Sequence, residues 1–124
     1  MSDAQLATEV LRQVLVATER VLQRFVPVEN MEWFLESEKG LEKLDAICMQ
    51  LIAIGESLKN LDKVAGKELL KRYPEIDWKG AKGMRDIITH HYFDLDAEAV
   101  YDVCENNLPE MRIVLERMIT DIKK

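Results

Sequence analysis

Along most of the chain apolar residues recur at steps of three and four, the period of a helix that buries one face. Leu6, Val10, Val14, Ala17, Val21 and Phe25 form the first such stripe. Ser2 and Gln5 precede it at capping-box spacing, in which the two residues satisfy otherwise unpaired N–H groups of the first turn. This helix is expected to run to about Pro27, whose ring and missing N–H cannot continue it. The segment Val28 to Leu35 carries Met31, Trp33, Phe34 and Leu35 and is expected as a short turn or helical piece covering one end of the core, with Ser37 capping the next helix.

A second helix follows to about Leu61, its stripe formed by Leu41, Leu44, Cys48, Leu51, Ile52, Gly55 and Leu58. Glycine inside a helix costs about 1 kcal/mol relative to alanine. Gly55 therefore answers some need for the missing side chain, most simply the close approach of a neighbouring helix. Glu56 borders the stripe, either as a solvated edge residue or as a carboxylate aimed into a cleft. Lys67 to Tyr73 reads as a short third helix stopped by Pro74, and Asp77 as the cap of a fourth from about Trp78 to Tyr92, weakened early by Gly80 and Gly83. Asp94 and Asp96 break the pattern. Asp96 then caps a last helix with Val100, Val103, Cys104, Met111, Leu115, Met118 and Ile122 inside, which Pro109 should kink by freeing the carbonyl of Glu105. No stretch alternates long enough to read as a strand, so the expected fold is all-α, an up-down bundle of four main helices with short extra helical segments.

Composition narrows the class. The 124 residues suit one domain, and 48% hydrophobic with 32% charged residues supports a packed core and excludes a disordered chain. The longest uncharged apolar stretch, Ala46 to Gly55, is far short of the ~20 residues of a membrane span. With no basic-then-apolar signal pattern at the N-terminus, a cytoplasmic protein without membrane partners is expected. Cys48 and Cys104 fall among apolar residues at helical spacing and read as buried free thiols. The net charge of −6 argues against a general electrostatic grip on nucleic acid. Residues 63–85 run against that total, with seven basic side chains and three acidic ones, although a solvated basic face accounts for this excess as readily as any partner does.

Both histidines lie in Met84-Arg85-Asp86-Ile87-Ile88-Thr89-His90-His91-Tyr92. Continued as a helix, at about 100° per residue, this stretch puts Met84, Ile87, Ile88 and His91 on an inward stripe, Arg85, Thr89 and Tyr92 on a second, and Asp86 and His90 in contact on a third. A carboxylate orients an imidazole and an arginine offers a phosphate clamp, a set suited to phosphodiester chemistry without a metal. For RNA the 2′-hydroxyl is an internal nucleophile, so the protein need supply a proton carrier and charge stabilisation. One such histidine per chain is thin for acid and base together; a symmetric dimer would bring two to one cleft. Adjacent histidines point about 100° apart on a helix, and no set of Cys or His elsewhere completes a metal site, so no metal or cofactor is expected.

The run of arginine, four residues, histidine, one residue and tyrosine, here Arg85, His90 and Tyr92, resembles the motif of the HEPN superfamily, specifically the HepT-like toxins encoded beside a minimal nucleotidyltransferase antitoxin. Asp86 matches the polar residue favoured after the arginine, and Ile54-Gly55-Glu56, Asp77-Trp78 and Asn107-Leu108-Pro109 extend the likeness from about Leu11 to Ile122. The resemblance implies a single HEPN-like helical domain over residues 1–124 and a metal-independent endoribonuclease toxin. It implies a homodimer in which Arg85 and His90 are catalytic and Asp86 and Glu56 supporting. It further implies RNA as substrate and a nucleotidyltransferase antitoxin that modifies Tyr92. The competing reading is a non-catalytic helical partner subunit that binds substrate or nucleotide for a nucleotidyltransferase, which the net charge of −6 favours.

Overall fold

A computed structural model describes residues 2–91 and 94–123, with the backbone alone of His91. The fold is an all-α bundle. Helix α1 spans Asp3–Phe25 and opens on the expected capping box of Ser2 and Gln5. A 3₁₀ turn at Met31–Phe34 buries Phe34 completely. Helix α2, Glu38–Ala65, starts at the Ser37 cap and runs a turn beyond the expected Leu61. It stops where Gly66 takes φ +86°, a left-handed backbone that glycine adopts without penalty. Its inner face is rotated from the expected stripe: Ile47 and Ile54 are buried, whereas Leu41 is 37% exposed.

The short helix α3 covers Glu68–Lys71. The expected fourth helix is divided into α4, Trp78–Lys82, capped by Asp77, and α5, Met84–Ile88, with Gly83 between them. It does not reach Tyr92. Thr89–His91 form strand β1, paired antiparallel with β2 at Asp94–Leu95, a small hairpin where no strand was expected. The competing interactions are local. The N–H of Asp96 donates to the carbonyl of Ile88 at 2.8 Å, and Leu95 packs on the core, so the chain is turned back before another helical turn can form.

Helix α6, Ala97–Asp102, is capped by Asp96. It passes through a π turn at Val103–Asn107 into α7, Leu108–Ile122. Pro109 thus falls in the first turn of α7, where its missing N–H matters least, and the π turn absorbs the break that the sequence places within a continuous helix. The core joins α1, α2 and α7 through Leu11, Val14, Ile47, Leu51, Leu108 and Leu115, with Ile88 of α5 and Val100 of α6 wholly buried in it. Polar ties hold the periphery: Trp78 Nε1 donates to the Tyr73 carbonyl at 2.8 Å, and the Tyr73 hydroxyl to Asp121 at 2.7 Å. No helix is long and apolar enough to cross a membrane among the described residues.

Gly55 confirms the close approach expected of it. A Cβ there would lie 2.8 Å from the Ala81 carbonyl oxygen and 3.3 Å from both the Lys82 carbonyl oxygen and the Met84 Cβ. Gly55→Ala should therefore lower stability by up to ~2 kcal/mol, since overpacking costs ~1–3 kcal/mol and alanine returns ~1 kcal/mol in helix propensity. Urea unfolding checks this; a higher midpoint for the variant would show that the two segments are free to separate.

Cys48 and Cys104 are free, buried thiols, each pushed up to about 12 by burial. A raised thiol stays protonated at ordinary pH, and the thiolate is the reactive form. At about pH 8 neither should react with a thiol-directed disulfide reagent in the native protein, whereas both should after denaturation.

Candidate active site

Of the expected site residues, Glu56 lies on α2, Arg85 and Asp86 on α5 and His90 on β1, with α5 packed against α2 and leading into β1. Gly55 lets α4 and α5 lie against α2, and the next residue, Glu56, is exposed with its carboxylate 2.8 Å from Lys59. The hydrogen bond and charge of Lys59 hold the Glu56 carboxyl below the usual carboxylate range, with a smaller contribution from Arg85 and then Lys63. Glu56 is therefore a solvated edge residue, ionised at neutral pH, and it adds a negative charge within electrostatic range of Arg85.

Arg85 and Asp86 are exposed on α5, whose inner residues Met84 and Ile88 anchor it in the core. The same helix was expected to bury Ile87, yet Ile87 is 42% exposed. Among the described residues Arg85 forms no ion pair. The neighbouring cations differ: Lys82 is held by Asp62 at 2.6 Å and Lys59 by Glu56. The Thr89 hydroxyl donates to the Arg85 carbonyl and closes the end of α5.

His90 lies past that end, on β1, and this corrects the helical stripes. Its partner is Asp96, with Nε2 3.2 Å from Oδ2, in place of the expected Asp86. The other oxygen of Asp96 accepts from the N–H of Ala99 at 2.9 Å. From residue type alone Asp96 is a helix cap; its second role depends on the hairpin, which helical periodicity does not reveal. The stripe that joined Arg85, Thr89 and Tyr92 ends with α5, since Thr89 is already extended. Tyr92 lies outside the described residues, and the inward stripe no longer places His91, which belongs to β1. Chemically, the arrangement offers an exposed guanidinium on α5, which Met84 and Ile88 anchor in the core, and a half-exposed imidazole on β1 backed by a carboxylate. Among the described residues no group of three or more His, Cys, Asp or Glu side chains is placed to hold a metal ion.

Comparison with known proteins places these residues in a family. A family model described as Ribonuclease HepT-like matches residues 15–118, a span that includes Glu56, Arg85, Asp86, His90 and Asp96. A candidate RNase of Methanocaldococcus jannaschii is 33% identical over 102 residues, covering 82% of this chain and 81% of the relative. A candidate RNase of Caldanaerobacter subterraneus is 28% identical, covering 77% of this chain and 86% of the relative. A protein of Thermococcus cleftensis, named as a candidate ribonuclease HepT, is 27% identical, covering 59% of this chain and 63% of the relative. No solved structure matches. With the family model spanning most of the chain, and with the Arg85 and His90 motif inside that span, this protein belongs to the HepT-like ribonuclease family of HEPN proteins.

Proposed function

We propose that the chain is an RNase of the HEPN type, a single helical domain over residues 1–124 that cleaves RNA in a cleft shared by a homodimer, with Arg85 and His90 as the catalytic residues. The observation that carries this reading is the placement of those two side chains, both exposed on adjoining elements within the span that matches the family. In the proposed reaction a 2′-hydroxyl oxygen attacks the adjacent phosphorus while an imidazole takes its proton. The bond to the 5′-oxygen breaks, and that oxygen receives a proton from a second imidazole. Arg85 offsets the charge that accumulates on the phosphoryl oxygens. Base and acid need opposite protonation states at the same moment, so two copies of His90 are used, one from each protomer. The products are a 2′,3′-cyclic phosphate and a 5′-hydroxyl, and no metal takes part. Asp86 and Glu56 are supporting groups that shape the field around Arg85.

We further propose that the enzyme acts in the cytoplasm as the toxin of a toxin-antitoxin pair, neutralised by a nucleotidyltransferase that transfers nucleotide to Tyr92. The added phosphate would bring negative charge to the same Arg85, His90 and Tyr92 motif. The alternative, a non-catalytic subunit that binds substrate or nucleotide for the nucleotidyltransferase, draws support from the net charge of −6 and from the pairing of Lys59 and Lys82 with carboxylates.

Purified protein should sediment at about twice 14.4 kDa and cleave RNA in excess chelator, leaving a 2′,3′-cyclic phosphate. His90→Ala should lose at least ~10²-fold in rate, the usual scale for a general acid or base, and Arg85→Ala should lose rate as well. A folded wild type with no cleavage would favour the binding subunit, and an active monomer would exclude the shared cleft.

Co-expression with the nucleotidyltransferase tests the regulatory position. Intact-mass measurement should show one or more nucleotides added to wild type and none on Tyr92→Phe, which keeps the ring while removing the accepting hydroxyl. Nucleotide on Tyr92→Phe, or none on wild type with an active transferase, would refute the assignment.

A further inference from the structure

We propose that Asp96 is the positioning residue of His90, fixing the ring so that Nε2 carries the proton and Nδ1 is the nitrogen that works on the substrate; this rests on the ribonuclease reading above. Asp96 is held at three points. Its backbone N–H donates to the carbonyl of Ile88, the wholly buried last residue of α5, at 2.8 Å. Its Oδ1 accepts from the N–H of Ala99 at 2.9 Å, the cap of α6. Its Oδ2 faces His90 Nε2 at 3.2 Å. The carboxylate is therefore located by the backbone of two helices before it meets the imidazole, and it has little freedom to follow a ring that moves.

A carboxylate accepts hydrogen bonds and donates none, so Nε2 bears the proton in this contact. In the neutral ring the lone pair then belongs to Nδ1, and a base acts through that atom. When the ring becomes an imidazolium, the adjacent carboxylate stabilises the charge, as carboxylate partners of catalytic histidines do. Asp96 touches neither RNA nor the reacting atoms in this scheme and acts wholly through His90.

The two accepting roles make Asp96→Asn diagnostic. The asparagine oxygen is required by the Ala99 N–H, which leaves the NH₂ group toward His90. Nε2 must then accept, and the proton moves to Nδ1. Asparagine caps a helix as well as aspartate does, so thermal stability should change little. ¹⁵N NMR of labelled histidine, with the ring neutral, should show the Nε2–H tautomer in wild type and the Nδ1–H tautomer in Asp96→Asn. With RNA, kcat should fall at least ~100-fold at nearly constant KM, the pattern of a lost transition-state interaction. In a His90→Ala background the same substitution should cost nothing further. Asp96→Ser, whose hydroxyl also caps, provides a second folded variant in which the Nε2 proton should exchange with solvent faster than in wild type.

An unchanged tautomer in Asp96→Asn overturns the proposal whether or not the protein cleaves RNA. An equal further loss in the His90→Ala background overturns it too, since Asp96 would then act independently of the ring. A tautomer that inverts in a protein with no RNA cleavage supports the positioning role and removes the ribonuclease reading. Full cleavage by His90→Ala overturns the proposal, since no nitrogen of His90 would then work on the substrate.

Discussion

The missing side chain at Gly55 determines where the candidate site is built. Helix α2 is the longest element, and at Gly55 the carbonyl oxygens of Ala81 and Lys82 and the Cβ of Met84 come within the space a methyl group would fill. Nothing with a Cβ permits that approach without displacing backbone. Once it is made, Lys82 reaches Asp62 on α2 at 2.6 Å, and Met84 and Ile88 enter the core. Arg85 and Asp86 are thereby turned outward, with Glu56 one residue from the contact. A helix of five residues has little stability of its own. Its position is a consequence of packing, and so is the orientation of the side chains it exposes.

The second constraint is the link from α5 to α6. Ile88 and Val100 are wholly buried, and the chain between them must return within a short hairpin. Asp96 makes that return definite by joining the end of α5 to the start of α6. Tyr101 then packs against Phe25 with ring centroids 5.2 Å apart and donates to the Glu29 carbonyl, so α6 is tied to the end of α1. The π turn that follows lets one continuous helical path carry Pro109 while Leu108, Met111 and Leu115 still face the core. His90 thus sits on a connector whose two ends are both determined by buried residues.

Periodicity revealed the elements whose stability comes from a long buried stripe. Helix α1, its capping box, the body of α2 and the inner residues of α7 were legible because each repeats its apolar positions over several turns. Caps at Ser37, Asp77 and Asp96 were legible from residue type. Periodicity failed at Thr89 to His91, where a helical continuation puts suitable residues on every face and only tertiary pairing decides. Ile87, Ile88 and Thr89 are β-branched residues that fit a strand as well as a helix end. The correct partner of His90, six residues along the chain at Asp96, lies at a separation that a helix cannot use. The chemistry at Arg85 and His90 was readable as residue types in a motif, whereas the contact that orients the imidazole required the hairpin.

Charge completes the account of how such a protein would meet a polyanion. General binding to nucleic acid depends on neutralising many phosphates along a stretch, and a surface of net charge −6 with Lys59, Lys71 and Lys82 each paired to a carboxylate does that poorly. A single exposed guanidinium works at shorter range. In the proposed role Arg85 would hold a phosphate by directed, charge-assisted hydrogen bonds, which operate at contact and lose little to screening at distance. Anionic surroundings weaken loose association with RNA more than they weaken this contact, because the first depends on the summed field and the second on geometry. The same surroundings make the site sensitive to any further negative charge placed beside Arg85, since Glu56 already lies within electrostatic range and no ion pair among the described residues occupies the guanidinium. In the proposed function, low background affinity and high sensitivity to a local phosphate would both follow from this one charge distribution.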